Sequence, residues 1–141
     1  NNFNTSGLFL QKVNIIRDIK KDLENRKKHF WPLKELDISA EELMNEDNRS
    51  RALLALEKMI NNVKEHVPGL VRYFEAIPVK FSGYRRFFCV NNALGLATIE
   101  KMRNNADVFY GRKEVKVSKL TFVNIIKNPE KAFLKRSEVF L

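Results

Sequence analysis

Cysteine occurs once in this chain, as Cys89, so no internal disulfide framework and no cysteine-rich zinc site can form, which fits a reducing compartment. Histidine is nearly as scarce. His29 and His66 are too few and too isolated for a histidine metal centre. Five glycines are spread over 141 residues without a phosphate-cradling cluster, which argues against a P-loop or a Rossmann unit. No run approaches the roughly 18–20 apolar residues of a spanning helix. No signal peptide, internal repeat or low-complexity tract is visible, and Asn1 need not be the natural start. What the chain has is enough apolar residue, 44%, to build one domain with a real core. It also has an excess of cations: 26 Lys+Arg against 17 Asp+Glu, a formal charge of +9. That balance implies anionic company, whether diphosphates, a membrane surface or nucleic acid.

The pattern is mostly helical, an all-α chain. A first helix is expected from about Ser6 to Arg26, capped by Thr5 or Ser6 and uninterrupted by proline before Pro32. Ser39 to Leu43 reads as a capping box. Asp47 or Asn48 can cap a helix through Val63, and Pro68 suits the first turn of a helix to Ala76. A long helix covers about Ser82 to Arg103. Its buried side is expected to hold Phe87, Phe88, Ala93, Leu94, Leu96, Ala97 and Ile99. Asn104-Asn105 breaks it. Val108 to Val117 is ambiguous, with strand-like alternation over Lys113 to Val117 but no evident partner. A last helical stretch runs from about Lys119 to Leu134, interrupted near Asn128-Pro129.

The first helix carries the chemistry. At roughly 100° per residue, Gln11, Asn14, Asp18, Asp22 and Asn25 share one narrow wedge, flanked by Leu8, Ile15 and Ile19. A surface helix would put carboxylates opposite its apolar stripe. Amides and carboxylates beside apolar neighbours imply a lined internal cavity. Two carboxylates one turn apart can hold Mg²⁺, which commonly completes its shell with water and substrate phosphate. The spacing alone leaves a second reading open: Asp18 and Asp22 paired with Arg17, Lys21 or Arg26 on a solvated face.

Taken together, Gly7-Leu-Phe-Leu-Gln-Lys-Val-Asn-Ile-Ile-Arg-Asp18, then Asp22, then Phe30-Trp31-Pro32, resemble the second aspartate-rich motif of the squalene synthases, within the squalene/phytoene synthase family. Leu56 to Pro68 with Tyr73 is similar to the helix that follows there. Phe87-Phe-Cys89 with Ala97-Thr98 resembles the family's Phe-Cys…Ala-Thr helix. Asn104-Asn105, Val108-Phe109, Gly111 and Val115-Lys116-Val117 resemble its Asn-Asn…Val-Phe-x-Gly-x-Val-Lys segment. The match covers about residues 7 to 119, and the Phe-Trp-Pro element favours squalene over phytoene synthase.

The resemblance implies an all-helical isoprenoid-synthase bundle, of which this chain is the C-terminal half as a single domain. It implies a head-to-head prenyltransferase that joins two farnesyl diphosphates with Mg²⁺ and reduces the product with NADPH. By the same resemblance Asp18 and Asp22 are metal carboxylates, and Gln11 and Asn14 face the reaction centre beside them. Arg17, Lys28, Phe87, Asn92 and Lys116 are substrate-binding positions, with Lys27 beside Lys28 as a further cation. Lys116 would meet diphosphate or the reductant's phosphates.

The chain departs from the family in four places. Lys21 stands where the motif has glutamate. Asn91-Asn92 replaces Pro-Gln. Ser118 stands where the flap has arginine. The first aspartate motif has no counterpart, and Glu41, Glu42, Glu46 and Asp47 do not supply one. The expected partners are a prenyl diphosphate, a missing N-terminal half or second chain that covers apolar walls near Leu8, Ile15, Phe87 and Leu94, and a peripheral membrane contact. The expected place is the cytoplasm or the cytosolic face of a membrane. A faint DNA-recognition pattern over Val117 to Ile126 fails, because Lys116 and Arg112 occupy its small-residue positions; no nucleic-acid partner is expected. Two alternatives stay open: a non-reductive phytoene synthase-like enzyme, and a non-catalytic relative acting as a binding or assembly module.

Overall fold

A computed structural model describes residues 4–26 and 28–141, with Arg26 described by its backbone. Among these the chain is helical and has no strand. The helices are α1 (Thr5–Arg17), α2 (Ile19–Lys21), α3 (Ala40–Met44), α4 (Arg49–Lys64), α5 (Val67–Ala76), α6 (Ser82–Met102), α7 (Asp107–Tyr110), α8 (Lys119–Lys127) and α9 (Pro129–Glu138). A π-helical turn, Asp22–Arg26, follows α2, and a 3-10 turn, Glu46–Asn48, precedes α4. No helix among the described residues is long and apolar enough to cross a membrane.

The central element is α6, which packs against α1, α5, α8 and α9. Phe88, Cys89, Ala93, Leu96, Ala97, Ile99 and Met102 are buried along it. Each large side chain among them contributes about 1.5–3 kcal/mol by leaving water. The thiol of Cys89 is fully buried, which pushes its pKa up to about 12, as expected of a small hydrophobe. Phe9, Val13 and Ile16 recur at helical spacing and seat α1 in the core. The approach of α1 to α6 is close: a Cβ on Gly95 would stand 2.7 Å from Cε2 of Phe9. Beside it, the fully buried Asn92 donates to the Phe88 carbonyl (2.8 Å) and exchanges hydrogen bonds with the Ser6 hydroxyl (3.0 and 3.1 Å).

The capping box at Ser39 is present: its hydroxyl accepts from the Glu42 N–H (3.0 Å) and its own N–H donates to the Glu42 carboxylate (3.1 Å). Asn104, in the left-handed region at φ 51°, ends the turn after α6. Trp31 anchors the loop after the π turn. Its indole N–H donates to the Ile15 carbonyl (3.1 Å), and its ring meets Phe109 edge-on at 5.7 Å. Lys113 to Val117 pairs with no strand: Lys113 lies in a bend and the rest is irregular.

Long cations hold several non-helical stretches, and the last turn of α8, through main-chain carbonyls. Lys20 donates to Gly111 (2.6 Å), Arg51 to Asp37 (2.8 Å), Arg85 to Ile77 (2.6 Å), Arg86 to Ile126 (2.8 Å) and Lys101 to Lys116.

Three expectations need correction. The first helix is not continuous to Arg26: it pauses at Asp18 (φ −92°, ψ 9°) and widens into the π turn from Asp22. Neither Thr5 nor Ser6 caps α1; the N-cap is Asn4, without a side-chain cap bond, and the Ser6 hydroxyl is used on Asn92. Phe87 is not on the buried side of α6. It is 65% exposed, because the core faces the other side of that turn through Phe88 and Cys89.

Candidate functional site

The pause at Asp18 sets the geometry. The N–H of Asp18 still reaches the Asn14 carbonyl (2.9 Å), and the N–H of Asp22 reaches the Asp18 carbonyl (2.8 Å), so the two aspartates remain one turn apart. Downstream of Asp22 the backbone changes to wider i→i+5 winding, which in helices is frequently associated with functional sites. Gln11, Asn14, Asp18 and Asp22 line one pocket of ≈ 230 Å³, with Ile15 and Phe30 as its apolar wall. The expected internal cavity is thus an open pocket on this chain's surface: Gln11 and Asn14 are exposed, whereas Asp22 is 5% exposed.

Burial alone pushes the Asp18 carboxyl up, but hydrogen bonding to Arg17, with smaller contributions from Glu114 and Lys21, outweighs it. The net effect holds Asp18 below the ordinary carboxylate range, ionised at neutral pH. Arg17 Nε is 3.1 Å from Asp18 Oδ1 and also 3.1 Å from Glu114 Oε1. The solvated-face reading therefore holds for Arg17, which forms an ion pair beside the pocket and lines the neighbouring hollow of ≈ 200 Å³ with Glu114.

The remaining positions divide. Lys28 places its ammonium 5.6 Å from the ring centroid of Phe30, at the pocket's edge. Lys27 lies outside the described residues. Phe87, Asn92 and Lys116 are not brought to this pocket. Asn92 has its amide engaged between Ser6 and Phe88, so it joins α1 to α6. Lys116 is exposed on the irregular segment before α8, where its carbonyl accepts from Lys101. Sequence reasoning missed Glu114. It lies far from Arg17 along the chain, and its one signal is an acid inside the basic run Arg112 to Lys116.

The donor set suits a shared ion. Two carboxylates and two amides supply oxygen, and Mg²⁺ usually takes one or two carboxylates with water and phosphate completing the shell. No group of three or more His, Cys, Asp or Glu among the described residues could hold an ion unaided. The site fits a metal brought together with a phosphate ligand.

A sequence model of the family described as Squalene/phytoene synthase matches residues 1–121. This chain belongs to the squalene/phytoene synthase family. Its similarity to the squalene synthase of Schizosaccharomyces pombe is 34% identity over 126 residues, 87% of this chain and 26% of that protein. The squalene synthase of Nicotiana benthamiana is 34% identical across 77% of this chain and 27% of its own length. Among solved structures, TcSQS in complex with the ligand BPH1237 superposes at a TM-score of 0.89 with 27% identity, covering 99% of this chain and 42% of that one. The family and the all-helical isoprenoid-synthase fold expected from sequence are both found. The chain spans about a quarter of the length of the curated relatives it matches.

Proposed function

We propose that this chain is the C-terminal, second-aspartate portion of a squalene synthase-like head-to-head prenyltransferase, and that its pocket is one wall of a site where prenyl diphosphate ionises. The observation that carries this reading is the convergence of Gln11, Asn14, Asp18 and Asp22 on one pocket. Asp18 and Asp22 would hold Mg²⁺, which when bound offsets the charge of a departing diphosphate. Gln11 and Asn14 orient ligand oxygens through their amides, and Lys28 adds a cation at the edge. Ile15 and Phe30 would form its apolar side once a second wall closes the site.

The reaction needs a second wall. Leu8 and Phe87, 45% and 65% exposed, support an N-terminal half that closes over them. Position 118 does not favour NADPH. Ser118 accepts from the Thr121 N–H (3.2 Å) as the cap of α8 and offers no cation to a reductant's phosphates. That feature favours the non-reductive variant, ending at a phytoene-like or hydroxylated product. The proposed place of work is the cytoplasm or the cytosolic face of a membrane.

The test is calorimetric titration of the chain with inorganic diphosphate, with and without Mg²⁺. Wild type is expected to bind more tightly with the metal, and Asp18→Asn to lose that gain. Equal metal dependence in both proteins would reduce the pocket to a plain basic patch.

A further inference from the structure

The Arg17 guanidinium stands between two carboxylates: its Nε–H donates to Asp18, and Glu114 makes an ion-pair contact with the same nitrogen. Asp18 Oδ1 and Glu114 Oε1 both stand 3.1 Å from that nitrogen, at the long end of a charge-assisted bond. The guanidinium's charge is thereby divided between the two carboxylates.

We propose that Glu114 is a positioning residue for Asp18: by drawing the Arg17 guanidinium partly toward itself, it keeps the Asp18 carboxylate available to a cation in the pocket. This rests on the diphosphate-site reading above.

Two observations converge on it. The segment 112–117 does not need Glu114 to stay in place, because Lys20 grips the Gly111 carbonyl, Lys101 grips that of Lys116, and Val115 is buried. Second, Asp18 is the more buried of the two acceptors (side chain 17% exposed, against 44% for Glu114). Without the competitor, Arg17 would close on Asp18 in the drier environment, where an ion pair is harder to displace.

Neutralising Glu114 is therefore expected to strengthen the Arg17–Asp18 pair and weaken cation binding. A partly exposed ion pair sets the scale, about two- to fivefold in affinity.

The experiment titrates the chain with inorganic diphosphate at fixed Mg²⁺, comparing wild type, Glu114→Gln, Glu114→Asp, Arg17→Gln and the Arg17→Gln/Glu114→Gln double variant. Circular dichroism checks that each is folded. The expected result is weaker metal-dependent binding in Glu114→Gln, recovery in Glu114→Asp, and no further effect of Glu114→Gln once Arg17 is glutamine. Wild-type binding in Glu114→Gln overturns the proposal. So does an equal loss in both Arg17 backgrounds, which would mean that Glu114 acts through space or as a ligand. If Asp18→Asn binds like wild type, the diphosphate-site reading fails and this proposal falls with it. If Asp18→Asn loses binding while Glu114→Gln does not, only the positioning role fails.

Discussion

Gly95→Ala and Gly83→Ala place the same methyl group on the same helix and should have opposite effects. In a helix interior, alanine is favoured over glycine by about 0.8–1 kcal/mol. At Gly95 the new Cβ would stand 2.7 Å from Cε2 of Phe9 and 3.1 Å from Cδ2 of Leu10. Phe9 is fully buried, so its ring has little free volume to move into. Overpacking of this kind costs about 1–3 kcal/mol. Setting the propensity gain against it leaves a net loss of up to about 2 kcal/mol, which for a chain of this size lowers Tm by up to roughly 6 °C. At Gly83 nothing lies within 4 Å, so only the propensity acts. Near the helix start it is worth at most about 1 kcal/mol, a rise in Tm of a few degrees. Thermal and urea denaturation of the two variants and wild type measures both. A Gly95→Ala protein stabilised as much as Gly83→Ala would refute the claim that the glycine is what lets α1 seat against α6.

Trp31→Phe keeps an aromatic ring near Phe109 but strands the Ile15 carbonyl that the indole N–H now satisfies. It should cost about 1–2 kcal/mol by urea denaturation. Cys89, with its pKa raised by burial to about 12, should resist iodoacetamide in the folded protein at pH 8–9 and react on unfolding. Since the folded pKa lies above the ordinary thiol value, the associated stability is present below about pH 8.5 and is lost as pH rises toward 12. Labelling followed by mass spectrometry, together with denaturation across that window, checks both statements. The chain alone should not turn over farnesyl diphosphate with Mg²⁺ and NADPH, because its pocket is open on one side. Activity restored by a supplied N-terminal half is the expected result, and turnover by a demonstrably monomeric chain would contradict it.

Much of the fold was legible because it rests on local rules. The Ser39 capping box, Pro68 opening α5 and the break at Asn104 are decided within a few residues. The shared wedge of Gln11, Asn14, Asp18 and Asp22 was legible for the same reason, since helical periodicity alone places them together. The pause at Asp18 and the π turn were not. No proline or glycine marks them, and the Trp31 bond to Ile15 that follows them is a tertiary contact. Phe87 misled because an apolar stripe does not reveal whether its outer edge meets this chain or another. Glu114 was hidden because its partner comes from α1, and the stretch that carries it has no periodicity to show which way it turns.

The lysines and arginines bonded to carbonyls have a consequence for association kinetics. A guanidinium or ammonium held by a carboxylate is both anchored and neutralised, whereas one held by a carbonyl is anchored with its charge intact. Lys20, Lys101, Arg51, Arg85 and Arg86 all donate to carbonyls, although Arg51 and Arg85 also pair with acids. The unneutralised members of this group have structural roles yet still contribute to the far field of a chain carrying +9. Short-range contacts with a dipole are little screened by salt, but attraction acting beyond a Debye length is. Raising the ionic strength should therefore slow the encounter with an anionic ligand while leaving these anchors in place, so that capture and fold respond to salt separately.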